Sequence, residues 1–541
     1  MTDRPSVLAP FRHETFRLLW LATLVSNLGG LVQSVGAGWM MTTLTSSHNM
    51  IALVQASTTL PIMVFSVAAG ALADNFDRRT VMLIAQGGMM LVSLALAVLA
   101  FLGLLNPWLL LTFTFLIGCG TALFNPSWQA SMGDIVPRAD LPGAVTLNSM
   151  GFNMMRSVGP AVGGLIVALA GAAAAFALNA ISYLPLILAL GRWRPERTPS
   201  RLPRENFGSA MWAGIRYVSL SPNLTTVLFR GFLFGFSATA ILALLPSVAA
   251  EYVGGGALAY GTLLGCFGLG AIGGAFLNGR IRERYSNEVI VRLACIGFAA
   301  SSVALGYSRD TLLSHMALLP AGACWVLALS LFNVSIQLSS PRWVVGRALS
   351  LYQTATFGGM AVGAWVWGLS ADVLGPDSAL GLAGASMLLC ALVGFRLPLL
   401  QFNARDLNPL NTFNEPILKL DLRPRSGPIM VMIDYDIVQD DIPRFLALMA
   451  DRRQIRIRDG ARQWALLRDL ERPEIWTESY HVPTWIDYLR HNLRRTKADA
   501  ENIELIRALH RGEGMPVVRR MIERQTVPLR DDTPLRETPE V

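Results

Sequence analysis

Between Leu18 and Phe395 the chain runs through one apolar stretch after another, each long enough to cross a lipid bilayer. A crossing takes about 20 mostly apolar residues. Inside hydrocarbon every backbone N–H and C=O must be satisfied by the chain itself, which leaves only helices and closed barrels. Runs of this length are helical. They fall at 17–43, 50–73, 80–104, 108–132, 141–170 and 172–191, and again at 223–249, 257–279, 288–307, 311–338, 344–372 and 378–396. The first follows a polar, basic Met1–Arg17 and leads straight into further spans, so it reads as a retained helix and not a cleaved signal.

Composition matters chiefly through its unevenness. Charged residues make up 15% of the chain, against roughly a quarter in soluble proteins, and they crowd beyond Leu400. The expected divisions are a six-helix half at 1–191, a linker at 192–222, a second half at 223–398 and a linker at 399–424. A soluble α+β domain at 425–515 and a disordered tail at 516–541 follow. The linker is Pro- and Arg-rich, and Phe207–Leu220 within it has the pattern of a surface-lying amphipathic helix. The cysteines, Cys119, Cys266, Cys295, Cys324 and Cys390, stand singly in apolar segments, with no ligand spacing for a metal and no disulfide framework.

Lys and Arg collect on the cytoplasmic side of membrane proteins. Arg4, Arg12, Arg17, Arg78, Arg79, Arg138, the Arg-rich stretch 192–216, Arg280, Arg282, Arg284, Arg342 and Arg347 all fall at the N-terminus or in connections from even to odd spans. The opposite loops, around Ser46, Asn106, Gly171, Gly254 and Pro376, hold none, and near Tyr307 there is only Arg309. Both termini are therefore expected in the cytoplasm. Those loops also account for the net charge of +8 without nucleic-acid binding.

The two halves repeat at a shift of 204 residues: Gly70 and Arg78 return as Gly274 and Arg282, Pro137-Arg138 as Pro341-Arg342, Gly159 as Gly363 and Gly164 as Gly368. Two parallel six-helix halves are the arrangement of major facilitator transporters. Gly70-Ala-Leu-Ala-Asp-Asn-Phe-Asp-Arg-Arg79 resembles the G-x-x-x-D-R-x-G-R-R signature of that superfamily, with Asn75 and Asp77 departing from it. Gly159-Pro160-Ala-Val-Gly163-Gly164 resembles the exporter motif of helix 5, with Met155 where a further glycine is expected. Phe11-Arg12-His13, Phe16–Trp20, Ser26–Gly29, Trp39, Leu44-Thr45, Pro61, Phe124-Asn-Pro126, Pro137-Arg138 and Asn148 look like the branch that includes the enterobactin exporter, of the transmembrane secretion effector type. The likeness covers about residues 10–400. It implies alternating access without a cofactor or metal. It also implies a conformational latch of Gly70, Asp74, Arg78 and Arg79, which Asp134 is placed to join.

Charge inside a span is costly and asks for a reason. Arg156 sits mid-way along span 5, and Arg230 about two turns into span 7. Arg156, with or without Arg230, would give a cavity a positive potential suited to anionic or catecholate-like substrates; Arg230 is also within snorkelling reach of the cytoplasmic surface. A structural pin accounts for Arg156 equally well. Asn27, Gln33, Asn148, Asn153, Tyr352 and Gln353 are the polar and aromatic candidates for the path, and Asn148 and Tyr352 are equivalent under the repeat, as facing walls of one cavity would be. No Asp or Glu is expected deep in a span. The coupling ion is undetermined, the proton being one candidate.

Beyond Pro398, strand formers at 428–438, 461–469 and 474–482 alternate with helical patterns after Asp440 and from Thr484 to about Arg495. The order β-α-β-β-α points to a ferredoxin-like unit. Arg456–Trp464 and Thr477–Trp485 resemble the antibiotic-biosynthesis-monooxygenase type, whose domains bind ligands or self-associate. His481 and Trp485 are a weak catalytic couple, for which a packed strand end is the simpler account. The expected function is export of a small hydrophobic or anionic molecule, siderophore- or drug-like, across a bacterial inner membrane. The alternatives are a lipid-handling carrier and a membrane-anchored enzyme with the soluble domain as its catalytic unit; the first reading makes the chain no enzyme.

Overall fold

A computed structural model describes residues 8–75, 77–137, 140–194, 207–341, 343–399, 410, 413–512 and 514–523. Over 67–75 and at a few other helical positions, Asn153 among them, only the backbone is described. Arg4, Arg138, Arg342, most of the Arg-rich linker and residues 400–409 lie outside the described residues, as do the side chains of Gly70 and Asp74. The chain divides into two compact units. One comprises 1–207, 225–336 and 349–401, and the other comprises 208–224, 337–348 and 402–541.

In the first unit the apolar runs are helices α1 (Glu14–Leu44), α2 (His48–Asn75), α3 (Arg78–Phe101), α4 (Pro107–Ile135) and α5 (Leu141–Arg192). After the short α6 (Phe207–Ser219) come α7 (Pro222–Val248), α8 (Gly256–Arg284), α9 (Asn287–Tyr307), α10 (Thr311–Leu338), α11 (Val345–Leu374) and α12 (Pro376–Arg396). Eleven of the described helices are long and apolar enough to cross a membrane. The longest, α5, breaks at Gly171, whose φ of 79° is left-handed and open to glycine at no steric cost. The break turns α5 into two antiparallel crossings, so the path makes twelve.

Capping side chains start several spans. Asp77 accepts from the Thr80 amide, Asn106 from Leu109 and Ser286 from Val289, each satisfying a donor that the first helical turn leaves free. The repeat is visible in the packing. Gly118 of α4 lies against the Ser57 and Thr58 carbonyls of α2, and Gly322 of α10, 204 residues on, lies against the Phe267 carbonyl of α8. A β-carbon at Gly322 would collide with backbone and one at Gly118 would press on Pro61 at 2.9 Å, so glycine lets the helices approach.

In the second unit, residues 429–522 form a four-stranded antiparallel sheet in the order β2-β3-β1-β4. The strands are β1 (Ile429–Asp436), β2 (Arg462–Arg468), β3 (Ile475–Val482) and β4 (Val517–Ile522). Helices α13 (Ile442–Asp459), α14 (Trp485–Leu493) and α15 (Lys497–Leu509) are interposed. This is the ferredoxin-like order with its second helix split in two. Every second residue of β1, from Ile429 to Tyr435, is buried and packs with Phe445, Met449, Tyr480, Trp485 and Ile506. The sheet is completed by β4, which lies in the stretch expected as tail from 516. All but the last of its residues are exposed, so it lacks the apolar alternation that marks a strand. The remaining parts of this unit join the same domain: the Arg458 guanidinium lies 5.1 Å over Tyr217 of α6, and that of Arg494 lies 4.1 Å over Trp343.

Candidate functional site

The glycines of the helix-5 motif are sites of backbone contact on two faces of α5. A β-carbon at Gly159 would come within 2.8 Å of Leu31, and one at Gly163 within 3.0 Å of the Val32 backbone, both on α1. Gly164 turns to the other half, where a β-carbon would meet the Gly261 Cα at 2.7 Å and the Ala257 carbonyl at 2.9 Å. The second half repeats both contacts at the shift of 204. Gly363 meets the Phe236 carbonyl on α7, while Gly368 meets Asn49 and Ala52 on α2. The seam between the halves is therefore a pair of pseudo-equivalent contacts, α5 on α8 and α11 on α2.

At the end of the bundle away from the termini, polar groups reinforce this seam. Asp372, in the last turn of α11, accepts from the His48 amide at 2.6 Å, the Asn49 amide at 3.3 Å and the Ser47 hydroxyl at 2.9 Å. It thus caps the N-terminus of α2 from the opposite half, where a carboxylate also meets the positive end of the helix dipole. The His48 ring lies 3.2 Å from Ser247 Oγ and 3.6 Å from Glu251. Asp372, Glu251 and His48 all lie near span ends, where polar residues are ordinary. Their meeting joins residues more than 190 positions apart, and no local pattern announces it.

Nearer the middle, Arg156 is half-buried and its guanidinium stands 5.5 Å over the indole of Trp325 on α10, across the seam. No carboxylate pairs with it among the described residues. Trp325 belongs to an aromatic cluster with Phe234, Phe267 and Phe298, so this cation faces a π surface and not a counter-ion. Toward the terminal end, Ser66 Oγ lies 2.7 Å from Thr354 Oγ1, and Thr354 also donates to the Met63 carbonyl. Both bonds link α2 to α11.

The other expected path residues divide. Asn27 and Gln353 are half-buried. Gln33 is buried in a network inside the first half, accepting from Ser93 at 2.8 Å and from Asn179, which donates in turn to Tyr183. It ties α1 to α3 and α5. Asn148 accepts from the Trp128 indole at 3.0 Å, and Tyr352 is buried against Gly231, its hydroxyl 3.4 Å from the Leu329 carbonyl. Each member of this repeat-related pair thus hydrogen-bonds within its own half. Asn153 falls among the side chains not described.

Arg230 requires a correction. Its side chain is fully buried and paired with Glu288. Glu288 also accepts from the Leu399 amide at 2.9 Å and from Arg292 at 3.3 Å. The charge of Arg230 is neutralised where α7, α9 and α12 meet, so it adds no field to a path. A buried carboxylate does exist in the membrane unit, in the first turn of α9 after its Ser286 cap. That placement made it look like an ordinary exposed helix start.

Of the expected latch, Arg78 donates to Asp134 at 2.9 Å. Arg79 donates to the carbonyls of Leu190 and Gly191, both at 2.7 Å, closing the C-terminus of α5. These bonds hold α3 to α4 and α5 within the first half. Asp77, at the position that departs from the signature, is the cap of α3.

The comparisons now have a geometry to meet. A model of the transmembrane secretion effector family matches residues 5–526. The chain belongs to that family. Among curated relatives, the enterobactin exporter EntS of Shigella flexneri is 26% identical over 393 residues, covering 70% of this chain and 91% of its own. That of Shigella dysenteriae serotype 1 is 27% identical over 395 residues, with the same coverage. Among solved structures, a bacterial homolog of the human lysosomal transporter Spinster aligns with a TM-score of 0.54 at 14% identity, over 70% of this chain and 93% of that one. A POT family transporter in complex with 5-aminolevulinic acid aligns at 0.58 and 13%, over 71% and 96%. The nucleoside transporter NupG aligns at 0.57 and 11%, over 72% and 100%. These likenesses show the twelve-helix transporter fold in a multi-pass membrane protein.

Proposed function

We propose that the chain is a secondary exporter of small aromatic anions of the siderophore class, working by alternating access across a bacterial inner membrane with both termini in the cytoplasm. The observation that carries this reading is Arg156. It is a guanidinium without a carboxylate partner among the described residues, half-buried mid-span at the seam of two pseudo-equivalent halves, and facing an indole. An intramembrane arginine marks a substrate or ion route by default, and one set against aromatic rings fits a ligand that is both anionic and aromatic. Relatives named as enterobactin exporters support the direction and the substrate class.

The closed seam at the end away from the termini supports a state shut toward the exit, from which export begins. There Asp372 and the His48–Glu251 contact hold the exit shut. The His48–Glu251 contact crosses between the halves, and the proton is the coupling ion we favour. The Arg78 and Arg79 bonds brace the cytoplasmic end of the first half for the rigid-body rocking that alternating access requires. The soluble domain is a regulatory module, and its exposed edge strands β2 and β4 leave it able to self-associate.

The test is transport in proteoliposomes of a catechol carboxylate and of its neutral methyl ester, with Arg156→Ala and Arg156→Lys. Loss of the anion alone in the alanine variant, with partial rescue by lysine, is the expected result. Equal transport of both compounds by Arg156→Ala would reduce Arg156 to a structural pin.

A further inference from the structure

Around Glu478 the core of the soluble domain gathers more arginine than carboxylate. Arg452 and Arg456 lie on the face of α13 that packs on the sheet, 4% and 1% exposed. Arginine is seldom buried to that extent unless paired. The described partner of both is Glu478 on β3, which accepts from Arg456 Nε at 2.9 Å, lies 3.5 Å from Arg452 and also accepts from Trp464 and Tyr435. The arginines hold its carboxyl down at about 2, so it is fully ionised. A second Arg456 nitrogen donates to His491, whose own basicity burial and the neighbouring arginines suppress far below the ordinary value, so that partner is neutral. The remaining nitrogen, Nη2, is buried with no hydrogen-bond partner. Arg495 adds a third cation whose one described hydrogen bond is to Asn492, and burial beside Arg456 and Arg452 lowers its guanidinium to about 10. Two cations thus share one carboxylate, and a third lies beside them.

These groups line a cavity of about 270 Å³ between sheet and helices. Its other walls are Val431, Ile433, Tyr480, Tyr488 and Phe413. Arg520 donates to the Tyr488 hydroxyl at 2.6 Å and holds that ring in place. Aromatic and aliphatic side chains set against convergent guanidinium groups suit a small ligand that is both apolar and anionic. An unpartnered guanidinium N–H buried beside it costs free energy until an acceptor arrives.

We infer that this cavity is a binding site for a small aromatic carboxylate, its carboxylate taken by Arg456 and Arg495 and its ring by Tyr480 and Tyr488. Inorganic phosphate would meet the charge but leave the apolar walls unused; a neutral aromatic would do the reverse. The volume suits a single substituted ring. The site is separate from the carrier path, and its neighbour Arg494, stacked on Trp343, ties the same segment to the connection between α10 and α11.

The experiment is calorimetric titration of the full-length chain in detergent with benzoate, salicylate, benzamide and inorganic phosphate. Two variants leave the Arg456–Glu478 pair intact: Arg495→Gln, and Val518→Trp, which fills the chamber from β4 without altering its charge. Saturable binding of benzoate and salicylate is expected, with benzamide and phosphate at least tenfold weaker. Arg495→Gln should weaken benzoate at least tenfold and Val518→Trp abolish it, while Arg156→Ala leaves it unchanged. No saturable benzoate binding in the wild type would overturn the inference. So would equal affinity for benzamide, binding that both domain variants keep, or binding lost in Arg156→Ala.

Discussion

Replacing Asp372 by asparagine keeps the shape of the side chain at the far seam but removes its charge. Asp372 accepts three hydrogen bonds from the first residues of α2, two of them from backbone amides that the helix itself cannot satisfy. Hydrogen bonds to an ionised acceptor contribute about 1.5–3 kcal/mol each and neutral ones about 0.5–1.5, while a carboxylate at a helix N-terminus adds about 0.3–1 kcal/mol. Asp372 is exposed, so screening by solvent brings the expected loss to about 1–2 kcal/mol. That loss falls on the state closed at this end, because the bonds cross between halves and break when the halves part. The ratio of far-end-open to far-end-closed molecules should rise roughly 5- to 30-fold. Spin labels at exposed Leu104 and Thr311, one in each half, would read it as a longer-distance population, once the five native cysteines have been replaced. An unchanged distance distribution in Asp372→Asn would refute the claim that this carboxylate holds the exit shut.

Gly164→Leu places a side chain where a β-carbon alone would already sit 2.7 Å from the Gly261 Cα; the same label pair should report opening, whereas Gly87→Leu, facing open space, should not. Arg230→Met leaves Glu288 with Arg292 and the Leu399 amide and should cost about 1.5–3 kcal/mol, while adding Glu288→Leu restores part of it; thermal unfolding of the purified chain checks both. The pH dependence of the soluble domain follows from two groups. The carboxyl of Glu478 is depressed to about 2, so its stabilisation is complete above the ordinary 4.5 and lost as pH falls toward 2. His491 is held far below 6.5, so the unfolded chain takes up a proton first and stability begins to fall once pH drops below about 6.5. Hydrogen exchange at 429–436, corrected for intrinsic rates, should show protection falling from pH 6.5 downward, and His491→Asn should postpone that fall to the range of Glu478.

What could be read from the chain depended on how local its cause was. The spans, the break at Gly171 and the first three strands each follow from a contiguous pattern, and the repeat from a fixed shift. The strand β4 escaped because Val517–Ile522 is an edge strand with Arg519 and Arg520 at its centre, giving no alternation to detect. Gln33 was misassigned because a polar residue in a span looks the same whether it lines a path or meets Ser93 and Asn179 on other helices. Arg230 and Glu288 lie 58 positions apart, and nothing local announces their pairing. Asp372 with His48, and Arg456 with Arg495, acquire meaning only from tertiary contact. The family signatures located the right helices, while the chemistry at their ends and in the soluble core had to come from the coordinates.

The central claim is that this chain moves an aromatic anion uphill at the expense of an ion gradient. Its most direct test is accumulation of a catecholate siderophore by proteoliposomes holding the purified wild-type chain, with and without an imposed pH gradient. Concentration above equilibrium that appears with the gradient, collapses with a protonophore and is absent in Arg156→Ala is the result this account requires. Flux no greater than in protein-free liposomes, or the same with and without the gradient, would contradict it.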